Sequence, residues 1–292
     1  MLAACLCFRD SSAYLHEWLL FHWVQGIERF YLFDNDSTDD FQRVLQPWIE
    51  ASIVSLHPWP GLGQQQAIYD RCLALVPPEI EWLAFLDDDE FLFSPDGTPL
   101  PEALAPFQAH AGVAVSWVLY GSSGAAARTD AWVIERFIRR APGPDPHVKC
   151  IVDPRRIVRS KVIGHMFEAW RGFQIVDERG RPLSEPCHVD PSASRLRINH
   201  YLVKSWEEFA HRRARPQANT GIPSPHTLAQ WRQWDRTWSE VEDPIARQYL
   251  PRMRQAEKSL FGGCRQPEQS RDPSSRFAQR HEDTKRSVSS SE

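Results

Sequence analysis

A chain of 292 residues, 42% hydrophobic and 25% charged, is long and apolar enough to bury a full core, which excludes disorder along its whole length. Its formal net charge of −4 supplies no overall basic field, and this argues against nucleic acid as the main partner. No apolar run approaches the ~20 residues needed to span a bilayer. The expectation is a cytoplasmic protein, at most peripheral at the inner membrane.

The six cysteines (5, 7, 72, 150, 187 and 264) show no metal-knuckle spacing, and no signal peptide precedes them. They read as reduced thiols, with Cys5 and Cys7 inert in an apolar strand. Twelve tryptophans are many for this length. They serve a core, or offer flat faces to sugar rings.

In chain order, residues 2–8 read as a buried strand. Arg9, Asp10, Ser11 and Ser12 supply a polar helix start. Leu15, Trp18, Leu19 and His22 then recur at helical spacing up to a stop at Gly26. A second strand over 29–33 ends abruptly in Asp34, Asn35 and Asp36. The next helix carries Phe41, Val44, Leu45, Trp48 and Ile49 on one face. A third strand over 53–56, a Pro/Gly break over 58–63 and a helix over 64–75 follow. Strands alternating with helices of this length indicate βαβ units and a mostly parallel sheet flanked by helices.

The organising stretch is 82–93, where five apolar residues run into Asp87, Asp88, Asp89 and Glu90 before Phe91, Leu92 and Phe93. The apolar run predicts a strand buried on both faces, with the acids at or just beyond its carboxyl end. After Pro95 the rhythm changes. A strand over 112–120 runs into Gly121-Ser122-Ser123-Gly124; 132–139 and 148–152 read as shorter alternating strands, 173–180 as a hairpin, and 196–201 as a final strand. Ser205 and Glu208 form a capping box at the start of Trp-rich helical sequence reaching about residue 261. Residues 262–292 are polar and expected to be disordered.

Three polar clusters fall at predicted strand ends: Arg9-Asp10, Asp34-Asn35-Asp36, and 87–90. In a parallel sheet all three line one edge and make one crevice. Adjacent carboxylates repel unless a cation or strong donors stand among them, and oxygen ligands suit Mg²⁺ or Mn²⁺. The first two clusters can bond a base and ribose while the third holds a cation on a diphosphate. The alternative is a plain acidic turn after a strand. There is no GxGxxG after the first strand, no P-loop and no GxSxG elbow.

The blocks 14–19, 26–39 and 82–92, followed by 117–124, 134–137 and 197–205, resemble glycosyltransferase family 92 and its bacterial family-2-like relatives in order and spacing. That resemblance covers roughly residues 5–215. It implies a GT-A (nucleotide-diphospho-sugar transferase) fold over 1–204, extended by helices over 205–261 and the tail 262–292. It also implies a UDP-sugar donor, Mn²⁺ or Mg²⁺, an inverting transfer of a hexose such as galactose, and a glycan or glycoconjugate acceptor, as in polysaccharide biosynthesis.

In the family pattern Asp87 and Asp89 are the DxD pair, with Asp89 the direct metal ligand, and Asp34 contacts the uridine. Gly121 and Ser122 begin the acceptor loop, and His200 completes the metal site. Arg9 and Asp10 stand where the family has another sequence, and Asp88 replaces an apolar residue. His165 rivals His200 as the completing imidazole. Lys204, with Arg212, Arg213 and Arg215, reads as a phosphate clamp or as a solvated helix face.

An inverting displacement needs a carboxylate to take the acceptor proton. Glu135 is the first candidate, with Asp130, Glu168 and Asp190 open, and a structural ion pair is the competing reading for Glu135. Two other functions use the same residues: a metal-dependent nucleotidyl- or phosphotransferase, and a catalytically dead glycan-binding scaffold.

Overall fold

Apolar runs near the amino terminus become strands whose polar ends are delivered to one edge. The computed structural model describes residues 1–162, 164–217 and 220–262. The expected disordered tail, from 263 onward and including Cys264, lies outside the described residues. Strand β1 (Leu2–Phe8) is buried along its whole length and leads into α1 (Ser12–Val24). Then come β2 (Arg29–Asp34), α2 (Phe41–Glu50), β3 (Val54–Pro58), α3 (Gln65–Leu75) and β4 (Trp82–Phe85). The acidic turn separates β4 from β5 (Glu90–Phe93), and α4 (Leu100–Leu104) precedes β6 (Gly112–Leu119).

The second half is built from α5 (Val133–Arg136), β7 (Arg139–Arg140), β8 (Val148–Val152), β9 (Ile157–Val162), β10 (Met166–Ala169), β11 (Ile175–Asp177) and β12 (Arg197–His200). It closes with α6 (Trp206–Arg213), α7 (Leu228–Thr237), β13 (Val241–Glu242) and α8 (Leu250–Phe261). The capping box holds as read. Ser205 Oγ accepts from the Glu208 N–H at 3.3 Å and Glu208 Oε2 accepts from the Ser205 N–H at 3.2 Å, a pairing worth ~1 kcal/mol.

The main sheet runs β3-β2-β1-β4-β8-β6-β12-β5, with β11 also on β6. Pairs β1–β2, β2–β3, β1–β4, β6–β12 and β6–β11 are parallel, whereas β8 is antiparallel to both β4 and β6, and β5 to β12. The fold is therefore the mixed α/β, mostly parallel sheet flanked by helices that the alternation predicts. Since β8 runs backwards between β4 and β6, its amino end joins the carboxyl ends of β1, β2, β4, β6 and β12 at one edge.

Helices α1 and α2 cover one face, where Trp18, Phe21, Trp48, Phe91 and Tyr249 are buried. Helix α3 and the β9–β10 ribbon cover the other, over Ile68, Tyr69, Cys72, Phe85 and Phe167. Each such side chain contributes ~1.5–3 kcal/mol on burial. Cys5, Cys7, Cys72 and Cys150 are buried free thiols, and Cys187 is exposed. No described helix is long and apolar enough to cross a membrane.

Residues 132–139 depart from the predicted strand. Val133–Arg136 coil into α5, leaving two residues of strand in β7. The cause is a long-range contact: buried Glu17 of α1 accepts the Val133 N–H at 2.7 Å and the Ile134 N–H at 3.0 Å, caring for two amides that a strand would have paired elsewhere.

Burial pushes the Glu17 carboxyl up to about 7 despite these two bonds and the nearby Arg136 and Lys204. The folded state thus binds this proton more tightly than the unfolded chain. Its contribution to stability falls as pH rises from the ordinary value of 4.5 through about 7. Glu17→Gln should gain stability over wild type more at about pH 8 than at about pH 5. Thermal midpoints of the two proteins check this, and a gap independent of pH would count against it.

Candidate active site

The loops leaving β1 and β2 are tied to each other by side-chain bonds. The Asp10 N–H donates to Ser37 Oγ at 2.9 Å, the Thr38 N–H to Asp10 Oδ1 at 2.6 Å, and the Ser12 N–H to Asp39 Oδ2 at 2.7 Å. Asp34 and Asn35 serve the same loops. Asp34 Oδ1 accepts from the Ser37 N–H at 2.9 Å, and the Asn35 amide donates to the Trp59 carbonyl at 2.9 Å.

Two cavities, of about 540 and 330 Å³, open at this edge and share Asp88, Leu202, Phe209, Arg212 and Arg215 in their walls. Volumes of this size suit small ligands, for which pockets span about 300–1,000 Å³. Arg9, Gln65, Asp87, Lys149 and His165 line the larger one. Asp10, Tyr14, Asp39, Arg128, Lys204 and Glu208 line the smaller. Asp34 and Asn35 line neither, so the expected base contact from Asp34 is not brought to these walls; Arg9 and Gln65 stand there instead.

The acidic turn is held by cations and donors from distant elements. Lys149 of β8, 1% exposed at its side chain, sets Nζ 2.8 Å from Asp87 Oδ2 and 3.5 Å from Glu90 Oε2. Gln65 Nε2 donates to Asp87 Oδ1 at 3.0 Å, and the Trp18 indole N–H donates to the carbonyls of Asp87 and Glu90 at 3.0 and 2.9 Å. Ser11 Oγ donates to Asp88 Oδ2. Asp89 is fully buried, with Arg212 of α6 on Oδ2 and His200 Nε2 3.5 Å from the same oxygen.

These surroundings sort the protonation states. Burial alone would raise the Asp87 and Asp89 carboxyls, yet Lys149 beside the first and Arg212 with His200 beside the second hold both below the usual carboxylate range. Glu90 is pushed up to about 7 by burial and by the neighbouring Asp87, against the pull of Lys149. The turn therefore holds two ionised carboxylates, Asp87 at the wall of the larger cavity and Asp89 fully buried and lining neither cavity.

The two histidines divide between the acids. His200 stands on Asp89, while His165 lines the larger cavity with Nδ1 2.6 Å from the Val148 carbonyl, and Trp117 packs against both rings. Burial, followed by the charge of Lys149, lowers His165 to about 4, so it is neutral at physiological pH. Among the described residues no group of three or more His, Cys, Asp or Glu side chains is arranged to hold a metal. The unpartnered donor atoms nearest to a cation's chemistry are Asp89 Oδ1 and His200 Nδ1, both buried without a hydrogen-bond partner among the described residues. An oxygen and a nitrogen suit Mn²⁺, although His200 turns Nε2 rather than Nδ1 toward Asp89.

Other expected residues lie elsewhere. Glu135 lines neither cavity: its Oε1 takes a 2.7 Å bond from Arg254 of α8, and its Oε2 caps the Trp132 N–H at 3.2 Å. The competing reading, a structural ion pair, describes it. Glu168 pairs with Arg159 and Asp190 with Arg179 and Arg181, away from both cavities, and Asp130 is exposed and also outside them.

Gly121 and Ser122 are covered by the carboxyl-terminal helices. A Cβ on Gly121 would stand 2.0 Å from Ser239 Oγ, and the Ser122 N–H donates to Asp235 Oδ1 at 2.6 Å. The small residue admits the chain's own Ser239 and Asp235 side chains and the Trp238 carbonyl. Lys204 enters the smaller cavity, apart from Arg9 and Asp87. Lys149 and Gln65 escaped sequence reasoning. The signal for Lys149 was a lone cation inside the apolar run Val148–Val152.

The family model of glycosyltransferase family 92 matches residues 2–216. A glycosyltransferase family 92 protein of Ricinus communis is 30% identical over 214 residues, spanning 70% of this chain and 36% of that protein. A galactan beta-1,4-galactosyltransferase of Arabidopsis thaliana is 26% identical over 107 residues, 33% of this chain and 22% of that one. The chain spans about a third of the length of the first family 92 relatives it matches (36%, 34% and 36%). A solved S. aureus TarS fragment in complex with UDP aligns with TM-score 0.37 at 16% identity, covering 53% of this chain and 47% of that one, too distant to carry an argument.

Proposed function

This chain belongs to glycosyltransferase family 92, and on that premise we propose that it moves a hexose from a UDP-sugar to a glycan or glycoconjugate acceptor, with inversion and with Mn²⁺ assistance. The supporting observation is the acidic turn at the junction of two cavities, one on either side of Asp88. The larger cavity takes the donor. Arg9, Lys149, Lys161 and Arg213 are among the cations that line it and can meet a diphosphate. Two of the relatives are named as galactan galactosyltransferases, which favours galactose as the hexose.

Asp89 and His200 would hold the metal, with Asp87 beside them; when bound, the ion supplies positive charge to the departing diphosphate. This chain's residues do the rest. Lys149 and Gln65 keep Asp87 ionised and oriented toward the larger cavity. The acceptor hydroxyl oxygen forms a bond to the anomeric carbon as the bond from that carbon to the phosphate oxygen breaks. UDP leaves with the electron pair, and the hydroxyl proton passes to a carboxylate. Asp88 is the carboxylate common to both cavity walls and replaces Glu135 in that role.

The test is product analysis with UDP-galactose and Mn²⁺. UDP release by the wild type is expected, with Asp88→Asn binding UDP normally but turning over about 10²-fold or more slowly. Release of pyrophosphate or inorganic phosphate instead of UDP would point to the nucleotidyl- or phosphotransferase reading. Sugar binding with no product and no response to chelator would point to the scaffold.

A further inference from the structure

The smaller cavity has charges that the donor reading does not use. Two of its four acids are already engaged: Glu208 receives Arg136 through both oxygens, at 2.9 and 2.7 Å, and Asp10 Oδ1 receives Thr38 through N–H and hydroxyl at 2.6 and 3.1 Å. Two of its cations are engaged as well, Arg212 with Asp89 and Arg215 with the carbonyl oxygens of Arg9 and Asp10.

Lys204 and Arg128 are different. The Lys204 side chain belongs to a residue 4% exposed, and its ammonium lies 3.9 Å from the centre of the Tyr14 ring with no hydrogen bond or ion pair among the described residues. Its backbone is held at φ +46°, in the left-handed region, so the fold keeps it there against a local preference. The Arg128 guanidinium stands 5.9 Å from the same ring centre, equally uncommitted among the described residues. Asp89, Asp88 and Glu208 act on the Lys204 ammonium through space but none contacts it, and the exposed Arg128 has no partner for its guanidinium among the described residues. At a cavity wall an external anion can meet both directly. Asp39 lines the same cavity, and its Oδ1, buried with no partner among the described residues, can accept from a sugar hydroxyl.

We infer that the smaller cavity is the acceptor pocket and selects a glycan carrying an anionic group, held by Lys204 and Arg128 beside the Tyr14 ring, with a hydroxyl on Asp39. This rests on the transferase reading, which leaves the smaller cavity for the acceptor. The shared chemistry is a carboxylate or phosphate on the sugar, and a uronate and a sugar phosphate are its two sources.

Ligand-observed NMR titrations of the full chain with glucuronate, glucose 6-phosphate and glucose, with and without UDP, test this. At least one anionic sugar should bind about tenfold tighter than glucose, as charged hydrogen bonds allow. Whichever anion wins identifies the source. Arg128→Gln should reduce that preference to about threefold or less with UDP affinity unchanged, and Lys204→Met should abolish it. Equal binding of all three sugars, or an unchanged preference in Arg128→Gln, overturns the inference. Loss of UDP affinity in Lys204→Met with anion preference intact overturns it too, by moving Lys204 to the donor. Absence of UDP binding by the wild type would sink the donor reading alone, because the UDP-free sugar comparison still reads the pocket.

Discussion

Lys149→Met should lower folding stability by about 3–5 kcal/mol at neutral pH and abolish measurable UDP binding. The expectation follows from what the ammonium touches. Lys149 lies within 2.8 Å of Asp87 and 3.5 Å of Glu90, with Glu90 itself fully buried. Removing one member of a buried charge group is far more damaging than replacing the group, because Asp87 is left without its countercharge and Glu90 must hold a proton to stay buried.

Burial by itself would lower the Lys149 pKa, yet Asp87 and Glu90 raise it above its usual value. The stability it adds is therefore present across the neutral range and is lost only as pH rises through that raised value. A second substitution makes the argument specific: Glu90→Gln in the Lys149→Met background should recover more of the loss at about pH 9 than at neutral pH, since Glu90, already raised to about 7 beside Lys149, becomes an orphaned carboxylate only in alkali. Urea unfolding of the single and double variants measures this coupling. Strict additivity would show that Lys149 supports the turn through packing alone.

Asp89→Asn should suppress sugar transfer by about 10²–10³-fold and remove the thermal stabilisation that UDP gives in the presence of Mn²⁺. The substitution preserves shape and deletes charge. Asp89 is the carboxylate that faces both His200 and Arg212, and those two groups, after opposing burial, keep it ionised. The loss of folding stability should be smaller than for Lys149→Met, because the Arg212 side chain is 34% exposed and returns to water. Thermal shift with UDP, with Mn²⁺ and with both separates the contributions. A variant stabilised by UDP and Mn²⁺ as much as wild type would remove Asp89 from the metal role. Arg212 would then remain as its resident countercharge.

The reading of 82–93 shows what local pattern can and cannot supply. Five apolar residues before four acids are a strand and its end whatever the rest of the chain does, because burial on both faces requires that composition. The same holds for the polar residues after β1 and β2, and for the capping box at Ser205, whose partners lie three residues apart. The segment 132–139 misled for the opposite reason. Its apolar residues admit a strand or a helical turn, and the choice is made by the Glu17 carboxylate, 116 residues away from Val133. Gly121 and Ser122 likewise look like an open loop until Asp235 and Ser239 close over them.

By itself the sequence determined the strand–helix alternation and the single edge to which the acids are brought, because apolar periodicity and strand-end polarity are properties of neighbouring residues, and its ordered blocks carried the resemblance to the family. Only the tertiary structure decided which charges meet. Lys149 reaches Asp87 across 62 residues and Arg212 reaches Asp89 across 123. It also decided that Glu135 turns to Arg254 and that Lys204 enters a second cavity. Electrostatic partnership depends on distance in space and on burial, and neither is written in the spacing of residues along the chain.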